Sequence, residues 1–125
     1  MWTFMQYVNF GGKGVISKWV AKDIEVNASD DFHDLLNILA VVPRDLWVRP
    51  DYDTLTPPDI GEIRWKSGQL QHRVFGFFKD EQYILLLGST KKGTVYSPAD
   101  AIATARQRKN DILNGWNQTI KYIWK

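Results

Sequence analysis

Apolar positions change period several times along the chain, and each change marks an element. Trp2 to Phe10 alternates loosely, and its aromatics and Val8 favour a strand. Gly11-Gly12-Lys13-Gly14 breaks it. From Val15 to about Glu25 the period is helical, with Ile16, Trp19, Val20 and Ile24 on one stripe. Asn27-Ala28-Ser29 reads as a break, after which Ser29 or Asp30 caps a second helix that buries Phe32, Leu35, Leu36 and Leu39. Asp30, Asp31 and Asp34 fall in its first turns, where the helix dipole favours anions. Pro43 stops it. Residues 44–61 are proline-punctuated and follow neither period, a long connection of the kind that is often functional or mobile.

A meander follows from Glu62 to Thr90, with turns at Ser67-Gly68 and at Lys79-Asp80-Glu81-Gln82. A tight first turn sets Gln71 opposite Arg64 and Arg73 opposite Glu62. The second turn sets Gly88 beside Arg73 and Lys92 beside Gln69. Side chains alternate along a strand, so Arg64, Arg73 and Lys92 share one face around a glycine. Ile63, Trp65, Leu70, Val74, Leu85 and Leu87 share the other, a core. A slip of one residue in either turn exchanges the faces.

Lys91-Lys92-Gly93 ends the last strand. Ser97-Pro98 opens a helix, serine as cap and proline in the first turn, with Ala99, Ile102, Ala105, Ile112 and Leu113 on its apolar side. Asn114-Gly115 closes it. In the tail, Trp116, Ile120 and Ile123 fit a helix, while Ile120, Tyr122 and Trp124 fit a strand; both readings stand. The order is strand, helix, helix, three antiparallel strands, helix: an α+β fold with helices packed on a single sheet.

Length and composition narrow the class. A chain of 125 residues suits one domain, 1–125, with 116–125 as a C-terminal extension. Apolar residues at 44% and aromatics at 14% argue against disorder. Cysteine is absent, which excludes disulfides and thiolate metal sites and fits a reducing compartment. The N-terminus lacks the basic region of a signal peptide, and the longest apolar run, Tyr83 to Leu87, is too short to span a bilayer. The expected location is cytoplasmic, with no membrane partner.

The net charge of +2 conceals an asymmetry: residues 1–62 hold 5 Lys/Arg and 10 Asp/Glu, a net of −5, and residues 63–125 hold 11 and 4, a net of +7. Either the basic half faces a polyanion or the two halves attract each other in the fold. Other candidate chemistry is weak. The glycine turn lacks the Lys-Ser/Thr pair of a phosphate loop. His33 among Asp30, Asp31 and Asp34 reads as a solvated or capping residue rather than a metal ligand. Asp51-Tyr52-Asp53 lacks the later glycine and glutamate of a calcium loop.

Glu62-Ile63-Arg64-Trp65, then Arg73-Val74-Phe75-Gly76-Phe77-Phe78, then Leu86-Leu87 with Lys91-Lys92, then Pro98 before an alanine-rich helix, resemble the RelE/ParE superfamily of bacterial toxins. The similarity is strongest to its HigB-like, phage-derived host-killer-like branch and covers roughly residues 60–112. Ile63 replaces that branch's leucine and His72 its tyrosine, and the spacing from Lys92 to Pro98 is about one residue longer.

The resemblance implies a RelE-like sheet and a toxin of a type II toxin–antitoxin system, an endoribonuclease that cuts messenger RNA on the ribosome. In such enzymes the RNA's own 2′-hydroxyl attacks the adjacent phosphate, so neither a cofactor nor a metal is implied. Arginine suits the task because its planar fork grips phosphate oxygens in pairs. By correspondence of motif, Arg73 is the phosphate clamp, Arg64 the cation of the preceding strand and Lys92, or alternatively Lys91, the basic residue ending the last strand. Tyr96 and His72 are candidate proton carriers, and Lys91 and Lys66 candidate RNA contacts. The bland alternative pairs Arg64 with a neighbouring acid and Arg73 with Glu62 and leaves Lys92 solvated. The implied partners are an antitoxin with an acidic or amphipathic segment, the ribosome and its message. The alternatives are a ParE-like gyrase inhibitor and a non-catalytic RNA-binding module of the same fold.

Overall fold

The computed structural model describes residues 1–124, so Lys125 of the tail lies outside the described residues. Its elements are β1 (Thr3–Tyr7), α1 (Val15–Lys22), α2 (Val26–Leu39), β2 (Tyr52–Thr54), β3 (Gly61–Ser67), β4 (Leu70–Lys79), β5 (Gln82–Lys92), β6 (Val95–Ser97), α3 (Ala101–Leu113) and β7 (Thr119–Lys121), with a short 3-10 turn at Arg44–Leu46. They form an α+β fold with one open sheet of order β2-β3-β4-β5-β1-β7, in which β6 also pairs with β5. β1 runs parallel to β5 and antiparallel to β7; the remaining pairs are antiparallel.

Helices cover both faces. On one, α1 and α2 bury Ile16, Trp19, Phe32 and Leu36 against Phe4, Ile63, Val74 and Leu85. On the other, Ala101 and Ala105 of α3 lie in a core with Ile60, Phe75, Phe77, Ile84 and Leu86. Two alanines let α3 approach the sheet closely, and Arg108 caps the Leu86 carbonyl at 2.8 Å.

The meander departs from its expected register in two ways. The first turn is Gly68-Gln69, with Gly68 at φ +61, a conformation glycine adopts freely. Arg64 therefore pairs with Arg73, and Glu62 with Phe75. The displacement is two residues, so every side chain keeps its face. The second hairpin starts in the expected register, Lys79 with Gln82, but a bulge between Phe75 and Gly76 shifts the rest by one. A side chain at Gly76 would collide with the Tyr83 ring and the Ile84 carbonyl, which explains the glycine there.

That bulge overturns two expectations. Ser89, not Gly88, pairs with Arg73, and Lys91 pairs with Gln71, so Lys92 does not fall beside Gln69 on the cation face. Gly88 faces α1, where the Trp19 ring fills its space, so it leaves no room beside the cations. Leu87 joins the α3 core rather than the α1 core, and Leu70 is 48% exposed.

Helix boundaries also differ. α1 stops at Lys22 and α2 begins at Val26, so Asn27-Ala28-Ser29 is helix rather than a break. Ala28 is buried and its carbonyl accepts the Trp65 indole N–H at 3.1 Å, while the Ser29 hydroxyl bonds back to Val26 O at 2.8 Å instead of capping. α3 begins at Ala101, because Ser97 is engaged in β6, where its carbonyl accepts the Ser89 hydroxyl at 3.1 Å. The connection over 44–61 is pinned by buried Trp47, Tyr52 and Ile60.

The tail takes the strand reading: β7 pairs with β1, and Tyr122 N–H donates to Phe4 O at 2.9 Å. His33 bonds the Tyr122 hydroxyl at 2.7 Å and stacks on Trp124, so it docks the tail instead of standing in solvent or capping a helix. No helix among the described residues is long and apolar enough to cross a membrane.

Candidate functional site

α3 occupies only part of its face. Beyond it, β3 and β4 carry Glu62, Arg64, Lys66, Gln71 and Arg73, continued by Lys91 on β5, which pairs with Gln71 and with Tyr96 of β6. An open cleft of about 430 Å³ lies here, lined by Pro50, Asp51, Arg64, Trp65, Lys66, Gln71 and Arg73. No α3 residue contributes to it.

The cluster is organised around Glu62, which is 4% exposed. Arg64 Nε and Arg73 Nε each stand 3.6 Å from Glu62 Oε1, and the Tyr96 hydroxyl donates to Glu62 Oε2 at 2.9 Å. At 3.6 Å the arginine contacts are ionic rather than hydrogen bonds, and both buried Nε–H groups lack an acceptor. Two guanidinium groups thus share one carboxylate, which leaves positive charge in excess.

The two arginines are not equivalent. Arg73 is 3% exposed and directs Nη1 to His72 O at 2.9 Å and Nη2 to Gln71 Oε1 at 2.7 Å. Burial pulls its pKa down from the ordinary arginine value, and Glu62 opposes that pull. The Arg64 side chain is 22% exposed and lines the cleft, with Nη1 3.9 Å from Asp53 Oδ2. Asp53 itself is engaged by Arg49 at 2.6 Å.

Tyr96 is half-buried, with the Lys91 ammonium 5.0 Å above its ring. Burial, and then the bond to Glu62, push its pKa up to about 12, so it stands as a neutral phenol with its proton aimed at a carboxylate. Lys66 is exposed at the cleft margin. Lys92 is exposed but alternates to the side opposite Lys91, away from the cluster.

His72 is also excluded from the group. It is 3% exposed on the α1 face, stacked on Trp65 at 5.1 Å with rings 13° apart and edge-on to Trp19. Burial lowers its pKa. Glu62 and Gln71 were not among the residues expected at the site. Gln71 could have been found from its position two before Arg73 on the same strand face. Among the described residues, no three His, Asp or Glu side chains gather as a metal set.

The sequence profile of the phage-derived Gp49-like protein family matches residues 21–110, which is 90 of the 125. The chain belongs to the Gp49-like family. That family lies within the RelE/HigB-like toxin superfamily. No curated protein and no solved structure matches the chain. The Gp49-like span runs from the end of α1 into α3 and takes in Glu62, Arg64, Arg73, Lys91 and Tyr96. β7 and the docked tail fall beyond it.

Proposed function

We propose that this Gp49-like protein is the toxin of a toxin–antitoxin pair, a metal-independent endoribonuclease that cleaves messenger RNA on the ribosome. The observation that carries this reading is the cleft flanked by Arg64, Lys66 and Arg73, with one buried carboxylate set against two guanidinium groups. Excess positive charge beside an open groove suits a phosphodiester backbone. Arg64 offers its outer edge to the phosphate oxygens, and Lys66 and Lys91 hold the flanking phosphates. Arg73, whose Nη groups are held by His72 O and Gln71 Oε1, braces Glu62 and Arg64 from behind. The RNA supplies the 2′-hydroxyl nucleophile, so the protein's task is to position the strand and stabilise charge on the phosphate; one preorganised donor is worth about 10² to 10³ in rate. The partner that silences it is an antitoxin segment of acidic character laid over the cation face, and the site of action is the cytoplasm.

The test is expression from a tightly regulated promoter. Growth arrest with cleaved transcripts is expected, and Arg64→Ala relieves it while the protein stays folded. Arrest unchanged by that substitution counts against the reading, as does the absence of arrest.

A second reading, RNA binding without cleavage, draws support from the burial of Arg73, whose two Nη groups are already bonded to His72 O and Gln71 Oε1. Salt-dependent RNA binding with intact transcripts selects it.

A further inference from the structure

We infer that Glu62 is the proton acceptor of the cleavage reaction, working through the Tyr96 hydroxyl; the inference rests on the cleavage reading above. Glu62 is buried, yet its Oε2 receives a single hydrogen bond, and the donor is the one phenol at the edge of the cation cluster. A phenol held neutral cannot take a proton from a 2′-hydroxyl unless it passes its own on in the same step. Glu62 Oε2, 2.9 Å away, is where that proton goes. The carboxylate is faced by Arg64 on its own strand, Arg73 on β4, Tyr96 on β6 and Asp53 across β2. Both arginines remain when it becomes protonated, so positive charge at the cluster rises as negative charge builds on the phosphate. That coupling favours the transition state over the ground state.

The 2′-hydroxyl proton moves to the Tyr96 oxygen while the Tyr96 proton moves to Glu62 Oε2. The 2′-oxygen forms the new O–P bond, and the bond from phosphorus to the 5′-oxygen breaks. The 5′-oxygen leaves with the electron pair and takes a proton from water. Glu62 returns its proton through Tyr96 to the hydroxide so formed. The products are a 2′,3′-cyclic phosphate and a 5′-hydroxyl end, and the protein is unchanged. Tyr96 is the catalytic residue here and Glu62 acts through it.

The test measures cleavage of a short messenger on programmed ribosomes by wild type, Glu62→Gln, Tyr96→Phe and the double variant. Each single substitution is expected to slow cleavage by about 10²- to 10⁴-fold, with the double variant no slower than the worse single one. The Glu62→Gln rate should climb with pH, about tenfold per unit, where the wild-type rate has levelled, because hydroxide must then remove the proton. Tyr96→Phe leaves the carboxylate and both arginines in place, so it carries the test if Glu62→Gln does not fold. Wild-type rates in the single variants, or losses with an unchanged pH profile, overturn the relay. A readout without RNA separates the two failures: Tyr96 is expected to ionise at lower pH in Glu62→Gln. If that shift occurs while wild type leaves the messenger intact, the pair is coupled and the cleavage reading has failed, which removes the role assigned to Glu62.

Discussion

Arg64 and Arg73 stand directly opposite each other on β3 and β4, and both turn Nε toward the same Glu62 oxygen at 3.6 Å. Like charges facing across a strand pair are destabilising. Glu62 is the acid through which that arrangement persists in a buried setting. Glu62→Ala is therefore expected to destabilise the fold by about 3–5 kcal/mol, the range for stranding a buried charge. Urea denaturation with the slope held constant measures it, and a loss under about 1 kcal/mol would contradict the pairing.

The same geometry separates the two arginines. Arg73→Ala opens a buried site and is expected to cost stability comparably to Glu62→Ala. Arg64→Ala, at a partly exposed position, is expected to cost less than either, about 1–2 kcal/mol. It should instead weaken RNA binding and lower the salt slope by about one unit. Fluorescence anisotropy across a salt series, with denaturation curves for both variants, tells the roles apart.

At Gly88 the α1 face makes a further demand. An added methyl group meets the Trp19 ring. Gly88→Ala is expected to cost about 1–3 kcal/mol by overpacking and to quench or shift tryptophan emission, with RNA binding left in place. A neutral outcome would mean that α1 sits further from β5 than described.

The mixed α+β composition of the fold and the apolar stripe of α2 were legible because Phe32, Leu35, Leu36 and Leu39 keep helical spacing with no competing period. The pairing of cations on one face was legible for Arg64 and Arg73, because an error of two residues in the first turn leaves the alternation intact. It failed for Lys92 because a single extra residue at the Phe75–Gly76 bulge inverts everything downstream, which exchanges Lys92 for Lys91 and turns Gly88 toward Trp19. Only the glycine at 76 hinted at a bulge, and glycines in strands have several causes. Strands β2, β6 and β7 have three residues each, too short for alternation to be read, and they exist because a neighbouring edge supplies their partners. Glu62 was visible as a possible partner of Arg73 but not as the centre of the cluster, since that depends on Tyr96 arriving from a separate strand.

Stability should fall as the solution is acidified from about pH 7.5 to 5.5. Burial depresses the pKa of His72 and of His33, the second against the pull of Asp30 and Asp34. Unfolded histidine takes up protons near pH 6.5. The unfolded state therefore binds more protons in this window, and stability drops as pH falls through 6.5 toward the depressed folded values. His72→Phe keeps an aromatic ring against Trp65 and is expected to flatten part of that slope. Thermal or urea midpoints at the two pH values measure it; an equal slope in the variant would mean that His72 does not contribute.

The central claim is that the exposed edge of Arg64 holds an RNA phosphate during strand cleavage. Primer extension on a defined messenger in a cell-free translation system, after adding purified wild type or Arg64→Ala, tests it most directly. The account predicts discrete, translation-dependent breaks bearing 5′-hydroxyl ends with wild type and their disappearance with Arg64→Ala. Intact messenger with both proteins, or identical breaks with both, would contradict it.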